Sequence, residues 1–292
     1  KCFPRLKGCV LTILKKIAGG IEGIDIYYNS AGYYSFDYNA KIKYPPADTW
    51  ETSVLREFRG LIVSSITGKV LARRFHKFFN IDELPETKLT NLDLKDSKMY
   101  HKIDGSLVSP ILLDNKEIIW ATRKVPIQMS NDCLNPDIIE FVEGCVTKNS
   151  TPLFEYCQKD KYVGIIQHTQ NTLTLLAVRH NITGEYMDID FLNTKGVNVV
   201  TECDNSLIEI DDWIDNEGVV IVMPNGFRYK VKSKWYKCIA QSNYYGGNDG
   251  FIEQYIKRYG SLDNCPKDNI WKHVLNEKKV DKLEVFKKIL DN

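Results

Sequence analysis

Lys102, Asp104, Gly105 and Ser106 lie in the pattern K-x-D-G-S, the strongest chemical signal in the chain. A lysine held rigidly at a turn, close to other cations, can act as a covalent nucleophile through its side-chain amine. Asp-Gly is also a frequent turn sequence, so the same residues describe an ordinary polar turn. The motif alone leaves these two interpretations equally open.

A second group of cations lies near the end of the chain, where Lys230 and Lys232 alternate along a predicted strand. Alternate residues of a strand point to one face, so their two ammonium groups share a face. They repel each other unless they share an anion, and a phosphate group is the natural one. The alternative is the solvated outer face of an edge strand.

Cations and aromatic rings also alternate in residues 73–80, which contain Arg73, Arg74, Lys77 and Phe79. We expect the cations to bind phosphate groups and a phenylalanine to lie under a base. The alternative is a solvated edge strand whose rings pack in the core.

Two carboxylates accompany strands that are otherwise apolar. Glu155 lies within the run L-F-E-Y-C, and Glu217 precedes the run G-V-V-I-V. Burying a carboxylate is costly unless it is paired. Glu155 is therefore predicted to be functional or ion-paired.

The elements that position these residues are predicted to be mainly strands in hairpins. Alternating or apolar runs predict strands within residues 24–38, 61–74, 107–122, 152–157, 173–179 and 217–233. Helical spacing predicts a helix over residues 135–144, and three amphipathic helices after a Gly/Asn-rich linker at residues 243–250. We expect an α+β fold with a large domain at residues 1–240 and a small helical domain at residues 241–292.

Composition excludes several classes of protein. The 292 residues carry a formal net charge of only +1, which disfavours a broad DNA-wrapping surface but permits a local basic cleft. The eight cysteines are widely spaced without a C-x-x-C pair, so they predict reduced thiols of a cytoplasmic protein rather than a zinc site. No apolar run approaches the ~20 residues of a membrane span, and no P-loop motif is present.

Taken together and in order, the motifs resemble the covalent nucleotidyltransferase superfamily of ATP-dependent ligases and mRNA-capping enzymes. The closer resemblance is to the RNA ligase 1 family, typified by the tRNA-repair RNA ligase of T-even bacteriophage. The motifs that carry it are E-x-R-G at residues 57–60, K-F-F-N at 77–80, K-x-D-G-S-L-V-S at 102–109, F-E-Y at 154–156, T-G-E-Y at 183–186, and E-G-x-V-x-V-M through K-x-K-S-x-W-Y at 217–236.

The resemblance implies an α+β nucleotidyltransferase domain, similar to ATP-grasp-like ligases, with antiparallel sheets, flanking helices and the nucleotide between the sheets. It implies that Lys102 attacks the α-phosphate of ATP and becomes a lysyl-adenylate. Lys230 and Lys232 match the lysines that neutralise this phosphate. Glu217 matches an acid that holds the water shell of a metal, and Glu155 one that binds the ribose hydroxyl and metal-bound water.

Further roles follow from the same resemblance. Gly105 belongs to the nucleotide-binding motif, and Tyr236 matches a tyrosine that the family needs for activity. Phe79 is implied to stack on adenine. Phe36 falls near a nucleotide-contacting tyrosine of the family, with Tyr38 as the other candidate.

Two more cations and one acid complete the set. Arg59 and Lys77 are implied to steady the triphosphate and later the RNA 5′-phosphate, and Arg123 stands where the family has a phosphate-binding lysine. Asp281 corresponds to a metal-contacting acid of the family's C-terminal domain. The tail after Tyr236 is shorter than that domain, which is linked to tRNA specificity.

The implied reaction has three steps: self-adenylylation, transfer of AMP to an RNA 5′-phosphate, and attack by an RNA 3′-hydroxyl that expels AMP. It requires ATP, Mg²⁺ or Mn²⁺, and RNA ends, with nicked tRNA as one substrate and a separate kinase or phosphatase as end-healing partner. A cytoplasmic location follows, the host's if the source is a phage or virus. The alternatives are a DNA ligase, a GTP-using capping enzyme, or a catalytically silent nucleic-acid-binding protein.

Overall fold

The structure of the protein is a computed structural model that describes residues 3–159, 166, 168–189, 192, 194–204, 207–213, 215–237 and 240. The helical domain predicted at residues 241–292, with Asp281, lies outside these described residues. Within them, no helix is both long enough and apolar enough to span a bilayer.

Helices and strands follow one another in an order dominated by hairpins. In chain order they are α1 (Leu11–Gly19), β1 (Ile24–Asn29), β2 (Tyr33–Tyr38), α2 (Trp50–Leu55), β3 (Leu61–Ser64), β4 (Val70–Ala72), β5 (Lys98–His101), β6 (Ser106–Leu112), β7 (Ile118–Ala121), β8 (Pro126–Ile127), α3 (Pro136–Thr147), β9 (Ser150–Cys157), β10 (Thr172–His180), β11 (Tyr186–Met187), α4 (Leu207–Asp211), β12 (Gly218–Val222) and β13 (Arg228–Lys232).

The N-terminal sheet has the strand order β1-β2-β3-β4, and every neighbouring pair is antiparallel. Gly32 has a φ of 90° in the turn between β1 and β2, a conformation that favours glycine. Phe36 of β2 packs with Leu14 of α1 and with Phe58 in one apolar core. The hairpin predicted over residues 24–38 is confirmed.

The central sheet has the order β11-β10-β9-β6-β7-β8. Helix α3 packs on it, and its Val142 shares a core with Val108 and Phe154 of the sheet. The Asn135 side chain caps α3 by accepting a hydrogen bond from the N–H of Ile138 at 2.9 Å. The predicted helix is confirmed and extends to Thr147.

The third sheet has the order β13-β12-β5, again antiparallel. Val220 of β12 packs against a cluster that contains Leu153 and Ala177 of the central sheet. The third and central sheets therefore face each other. Lys102 follows β5 directly and lies at the edge of the space between them.

A buried ion cluster joins the N-terminal sheet to the central sheet. Glu57 accepts hydrogen bonds from Arg73 Nε at 3.0 Å and from Arg179 Nη1 at 2.8 Å. Arg74 is also buried and donates to the carbonyl of Ala121 at 3.0 Å. The phosphate role expected of Arg73 and Arg74 is therefore wrong, because carbonyls and Glu57 take most of their donors inside the fold.

Candidate active site

A cavity of about 680 Å³ lies between the central and third sheets, within the size range of small-molecule sites. Several elements contribute to its wall, including the loop after β5, the loop after β7, and strands β9, β10, β12 and β13. Among the predicted site residues, those that line it are Arg59, Lys102, Gly105, Arg123, Glu155, Glu217, Lys230 and Lys232. The tertiary fold thus brings together residues that lie up to about 170 positions apart in sequence.

Lys102 is held at this cavity by its backbone and by its side chain. Its N–H donates to the carbonyl of Gly218 at 2.8 Å, which ties the loop after β5 to β12. Its Nζ lies 2.7 Å from Oε2 of Glu217, and the side chain is 22% exposed. The amine is therefore fixed in position yet accessible from the cavity.

Glu217 pairs with two lysines at once. Its second oxygen, Oε1, lies 3.0 Å from Nζ of Lys232, and its own side chain is only 3% exposed. The strand register explains this arrangement, since Gly218 of β12 stands opposite Lys232 of β13. Glu217 therefore holds the ammonium groups of Lys102 and Lys232 close together against their mutual repulsion.

Lys230 lies two residues before Lys232 on the same face of β13. Its backbone pairs with the K-F-F-N segment: its N–H donates to the carbonyl of Phe79 and its carbonyl accepts from Ile81, both at 3.0 Å. Burial, followed by the charges of Arg59 and three nearby lysines, lowers the pKa of Lys230 to about 7. No described carboxylate pairs with this amine. A buried cation without a counter-charge is suited to binding an anion.

Glu155 and Gly105 meet where β6 begins. The N–H of Gly105 donates to Oε1 of Glu155 at 3.1 Å. A Cβ on Gly105 would lie 2.8 Å from the carbonyl of Tyr156, so only glycine allows the loop to approach β9 this closely. Burial is the main cause that raises the pKa of Glu155 to about 7, and Lys102 opposes it.

Arg59 and Arg123 add two guanidinium groups to the wall. Nη1 of Arg59 is buried and has no hydrogen-bond partner among the described residues, and the guanidinium carbon lies 5.7 Å from the ring centre of Phe78. Arg123 is held more loosely, with Nη1 3.5 Å from Oδ1 of Asp37. Both retain donors for an anionic ligand.

The predicted aromatic contacts are only partly consistent with this arrangement. Phe36 is fully buried and stacks on Phe58 at 5.3 Å, so its nucleotide role is wrong for this structure. Tyr38 is the better candidate of that pair, since its ring centre lies 5.1 Å from the guanidinium carbon of Arg123. Phe79 is buried against Tyr44 at 5.4 Å, whereas its neighbour Phe78 lines the cavity.

Lys77 and Tyr236 lie just outside the cavity. The Nζ of Lys77 is 4.7 Å from the ring centre of Tyr38. The hydroxyl of Tyr236 donates to Oδ1 of Asp104 at 2.9 Å, which braces the turn that follows Lys102. Their predicted roles at the nucleotide stay predictions, and Tyr236 would act on Lys102 through Asp104.

Two apolar residues that sequence reasoning missed form a slot in the cavity. Leu176 of β10 and Val220 of β12 come from facing sheets, line the cavity and pack against the same cluster. The register of β10 shifts between Leu175 and Ala177. This β-bulge changes the direction of the Leu176 side chain relative to a regular strand. The apolar sequence of β10 gives no sign of this bulge, so Leu176 could not be predicted. Val220 lies within the E-G-x-V motif, which could have indicated it.

The comparisons with known proteins agree on one family. A family model described as RNA ligase matches residues 57–236. A candidate RNA ligase of Thermovibrio ammonificans is 28% identical over 243 residues, which cover 76% of this chain and 61% of that protein. A candidate bifunctional polynucleotide kinase/RNA ligase of Autographa californica nuclear polyhedrosis virus is 31% identical over 162 residues, 46% of this chain and 22% of that protein. The chain thus spans less than two thirds of either relative.

Solved structures support the fold. An archaeal ATP-dependent RNA ligase superposes with a TM-score of 0.57 at 15% identity, covering 91% of this chain and 77% of that one. A second form of that ligase superposes with a TM-score of 0.52 at 14% identity, with the same coverage. The predicted α+β ligase fold of antiparallel sheets is therefore confirmed.

Proposed function

The chain belongs to the RNA ligase family, and on that premise we propose that it is an ATP-dependent RNA ligase joining RNA 5′-phosphate and 3′-hydroxyl ends. The observation that carries the proposal is the position of Lys102. Its amine lies in a nucleotide-sized cavity, 2.7 Å from Glu217, with Lys230 and Lys232 on β13 of the same sheet as β5. A lysine nucleophile with cations gathered around the site of reaction is what adenylylation requires.

In the first step, Nζ of Lys102 attacks the α-phosphorus of ATP. The phosphorus–nitrogen bond forms as the bond to the β-phosphate oxygen breaks and pyrophosphate leaves. Glu217 orients the amine and is the acceptor within reach of the proton that the nitrogen loses. Lys230, Lys232 and Arg59 stabilise the negative charge that develops on the phosphoryl oxygens.

The apolar slot suits the base of the same nucleotide. Leu176 and Val220 belong to two sheets that pack together, and both offer apolar contacts in the cavity wall. Glu155, beside Gly105, lines the same cavity and is the group proposed to contact the ribose hydroxyl. The adenylate would later be transferred to the RNA 5′-phosphate, and attack by the 3′-hydroxyl would expel AMP.

The residues of the cavity also fit a divalent cation. No described group of three or more acidic, histidine or cysteine side chains is arranged to hold a metal, but Mg²⁺ sites in enzymes commonly use one or two carboxylates and complete the shell with water and substrate phosphates. Glu155 and Glu217 would hold Mg²⁺ or Mn²⁺ in this way. The bound ion would screen the charge of the triphosphate.

We propose that the RNA substrate is a nicked strand with a 5′-phosphate and a 3′-hydroxyl. Nicked tRNA is among the candidates. The name of the viral relative combines a polynucleotide kinase with an RNA ligase. That pairing supports a separate end-healing kinase or phosphatase for this chain. The division into a ligase domain at residues 1–240 and a small helical domain at 241–292, and a cytoplasmic location, are part of the same proposal.

The proposal is tested by incubating the protein with Mg²⁺ and either α-³²P-ATP or α-³²P-GTP before denaturing electrophoresis. We expect label from ATP that survives denaturation. Lys102→Ala should reduce it by more than about 10³-fold, since the nucleophile is removed. Lys95→Ala, an exposed lysine near the start of β5, is the matched control.

The remaining outcomes separate an ATP-dependent ligase from a capping enzyme and from a silent protein. Label from GTP would favour the capping reaction over the ligase. No label from either nucleotide would contradict an enzymatic role and favour the silent nucleic-acid-binding protein. Equal labelling of wild type and Lys102→Ala would show that another residue is the nucleophile.

A further inference from the structure

Arg228 is a buried guanidinium that the proposed reaction does not use. It begins β13, is only 7% exposed, and lines the cavity that contains Lys102. Its Nη1 donates to the carbonyl of Gly226 at 2.9 Å. Its guanidinium carbon lies 3.6 Å from the ring centre of Tyr186 and 5.2 Å from that of Phe75.

The charge of Arg228 is not compensated by any described carboxylate. Arg179, whose guanidinium carbon lies 4.9 Å from the ring centre of Tyr186, is also buried but pairs with Glu57 at 2.8 Å. Burial lowers the pKa of Arg228 to about 10, so the group remains charged at neutral pH. A buried charge without a counter-charge is costly. Because Arg228 also lines the cavity, a ligand bound there can supply an acceptor to its guanidinium.

The strand geometry gives the place of this charge along the cavity. Arg228, Lys230 and Lys232 alternate on β13, so they share a face, and each alternation spans about 6.7 Å. The backbone of Arg228 therefore lies about 13 Å from the backbone of Lys232. A nucleotide whose phosphate lies at Lys230 and Lys232 would have its base at the Arg228 end.

The surroundings of Arg228 agree with a base rather than a phosphate. Val222 stands opposite Arg228 in the register of β12 and β13, and Leu176, Val220 and Phe75 complete an apolar wall. At the phosphate end, by contrast, Lys102, Lys232 and Glu217 line the cavity.

We propose that Arg228 donates a hydrogen bond to a ring nitrogen of the nucleotide base and thereby sets its position in the slot. The inference rests on the proposed function and assigns a specificity residue to its nucleotide site. A guanidinium has donors only, so its partner on adenine must be N1, N3 or N7. Tyr186 fixes the plane of the guanidinium by stacking, and the Tyr186 hydroxyl is itself held 2.8 Å from Nδ1 of His76.

A second cavity of about 1110 Å³ also has Arg228 in its wall, so an RNA phosphate entering from that side is the competing ligand. Four carboxylates line this second cavity, those of Asp48, Asp96, Glu185 and Asp188. Three cations, Arg5, Lys98 and Arg228, line it as well, so the acids exceed the cations by one and weaken the attraction for a phosphate. The base is therefore the ligand that the geometry favours.

The test measures kcat/KM for lysyl-adenylate formation with ATP and with 1-deaza-, 3-deaza- and 7-deaza-ATP. Arg228→Met keeps the packing on Tyr186 and removes the donors. We expect its KM for ATP to rise at least about tenfold, the loss typical of a hydrogen bond to a charged group. Arg228→Lys, which keeps the charge, should recover part of this loss. Arg5→Met is the matched control, because Arg5 lines only the second cavity.

The analogues identify the acceptor. Wild type should lose about tenfold or more on one of the three, and Arg228→Met should lose less than twofold further on that same analogue, because the shared hydrogen bond is already gone. Equal losses in both proteins on every analogue would overturn the proposal. So would an unchanged KM for ATP with a raised KM for 5′-phosphorylated RNA, which would assign Arg228 to an RNA phosphate.

Failure of this inference is distinct from failure of the proposed function. If the wild type forms no lysyl-adenylate, the ligase proposal fails. If it labels normally and discriminates among none of the analogues, only the role of Arg228 fails. Thermal unfolding of each variant separates loss of folding from loss of binding. If Arg228→Met does not fold, Arg228→Lys replaces it in the analogue series, and an unchanged analogue profile in that variant would overturn the proposal.

Discussion

Two clusters of buried charges in this molecule use the same residue types to opposite ends. Around Glu57, the guanidinium groups of Arg73 and Arg179 surround one carboxylate, all with side chains at most 1% exposed. In the cavity, Lys230, Arg59 and Arg228 are also largely buried, but no described carboxylate neutralises them. In the first cluster, two guanidinium groups share one carboxylate and protein carbonyls accept from their other donors. In the second, donors remain for a ligand.

The comparison shows what distinguishes a structural cation from a binding cation. Burial alone does not, because both groups are buried. What matters is whether protein acceptors take the donors: the donors of Arg73 reach Glu57 and the carbonyls of Pro4, Asn181 and Ile182. By contrast, Nη1 of Arg59 is buried without a partner among the described residues.

The largest effect on stability is expected from breaking the buried cluster of Glu57, Arg73 and Arg179. Glu57→Gln should lower the free energy of unfolding by about 3–5 kcal/mol, because it leaves Arg73 and Arg179 buried without their counter-charge. Urea denaturation measures this loss. Glu22→Gln is the matched control, since Glu22 pairs with Lys41 at the surface with both side chains more than 70% exposed, and should change stability by less than about 0.5 kcal/mol. A change under 1 kcal/mol for Glu57→Gln would contradict the role of the cluster.

The next effect is expected from Glu217, the acid that pairs with lysines among the described residues of the cavity. Glu217→Gln removes the carboxylate between Lys102 and Lys232 and should slow lysyl-adenylate formation by on the order of 10²-fold. Its effect on stability should be smaller than that of Glu57→Gln, because the lysines are 22% and 28% exposed and water can screen them. Single-turnover labelling at saturating ATP measures the rate; a rate within threefold of wild type would exclude this role.

The pH dependence of kcat/KM for ATP provides a third test. Both Glu155 and Lys230 have pKa values of about 7 in the free protein, raised for the acid and lowered for the amine, chiefly by burial in each case. Below pH 7 Glu155 is protonated and neutral; above pH 7 Lys230 loses its proton and its attraction for phosphate. We therefore expect a narrow bell centred near pH 7, falling about tenfold per pH unit on each side.

The profile of kcat should be broader than that of kcat/KM, because bound phosphates and metal stabilise the charged forms of both groups. Glu155→Gln should remove the acidic limb and retain the alkaline one. A flat kcat/KM between pH 6 and pH 8 would show that neither group titrates in this range in the free protein.

The smallest effect should separate two adjacent rings. Phe78 lines the cavity, with Nζ of Lys230 5.1 Å from its ring centre, whereas Phe79 packs against Tyr44 away from it. Phe78→Leu should raise the KM for ATP several-fold, and by more than Phe79→Leu does. Phe79→Leu should act mainly on stability, by about 1 kcal/mol. The reverse order of KM values would restore the predicted contact between Phe79 and adenine.

Much of the fold was predictable because it depends on local patterns. The hairpin of β1 and β2 follows from alternating tyrosines around an Asn-Ser-Ala-Gly turn, and α3 from apolar spacing after an Asn-Pro start. These signals depend on residues close together in the sequence, so they can be recognised without the tertiary structure.

The cavity residues were predictable for a different reason. Lys102, Glu155, Glu217, Lys230 and Lys232 stand in motifs whose order along the chain resembles one family, and the fold brings all five to one cavity. Chemistry and spacing identify such residues even where their contacts are unknown.

Sequence by itself thus determined most of the strands, although not β5, and the helix α3 that packs on the central sheet. It also identified Lys102, Lys230 and Lys232 as candidate site residues. Only the tertiary structure decided which cations serve the fold, because Arg73 and Arg179 meet Glu57 across long sequence separations. It also decided which rings face the cavity, and it placed Leu176 there through a bulge that no pattern records. Whether a buried charge is neutralised depends on residues distant in sequence, so this property appears only when the chain is folded.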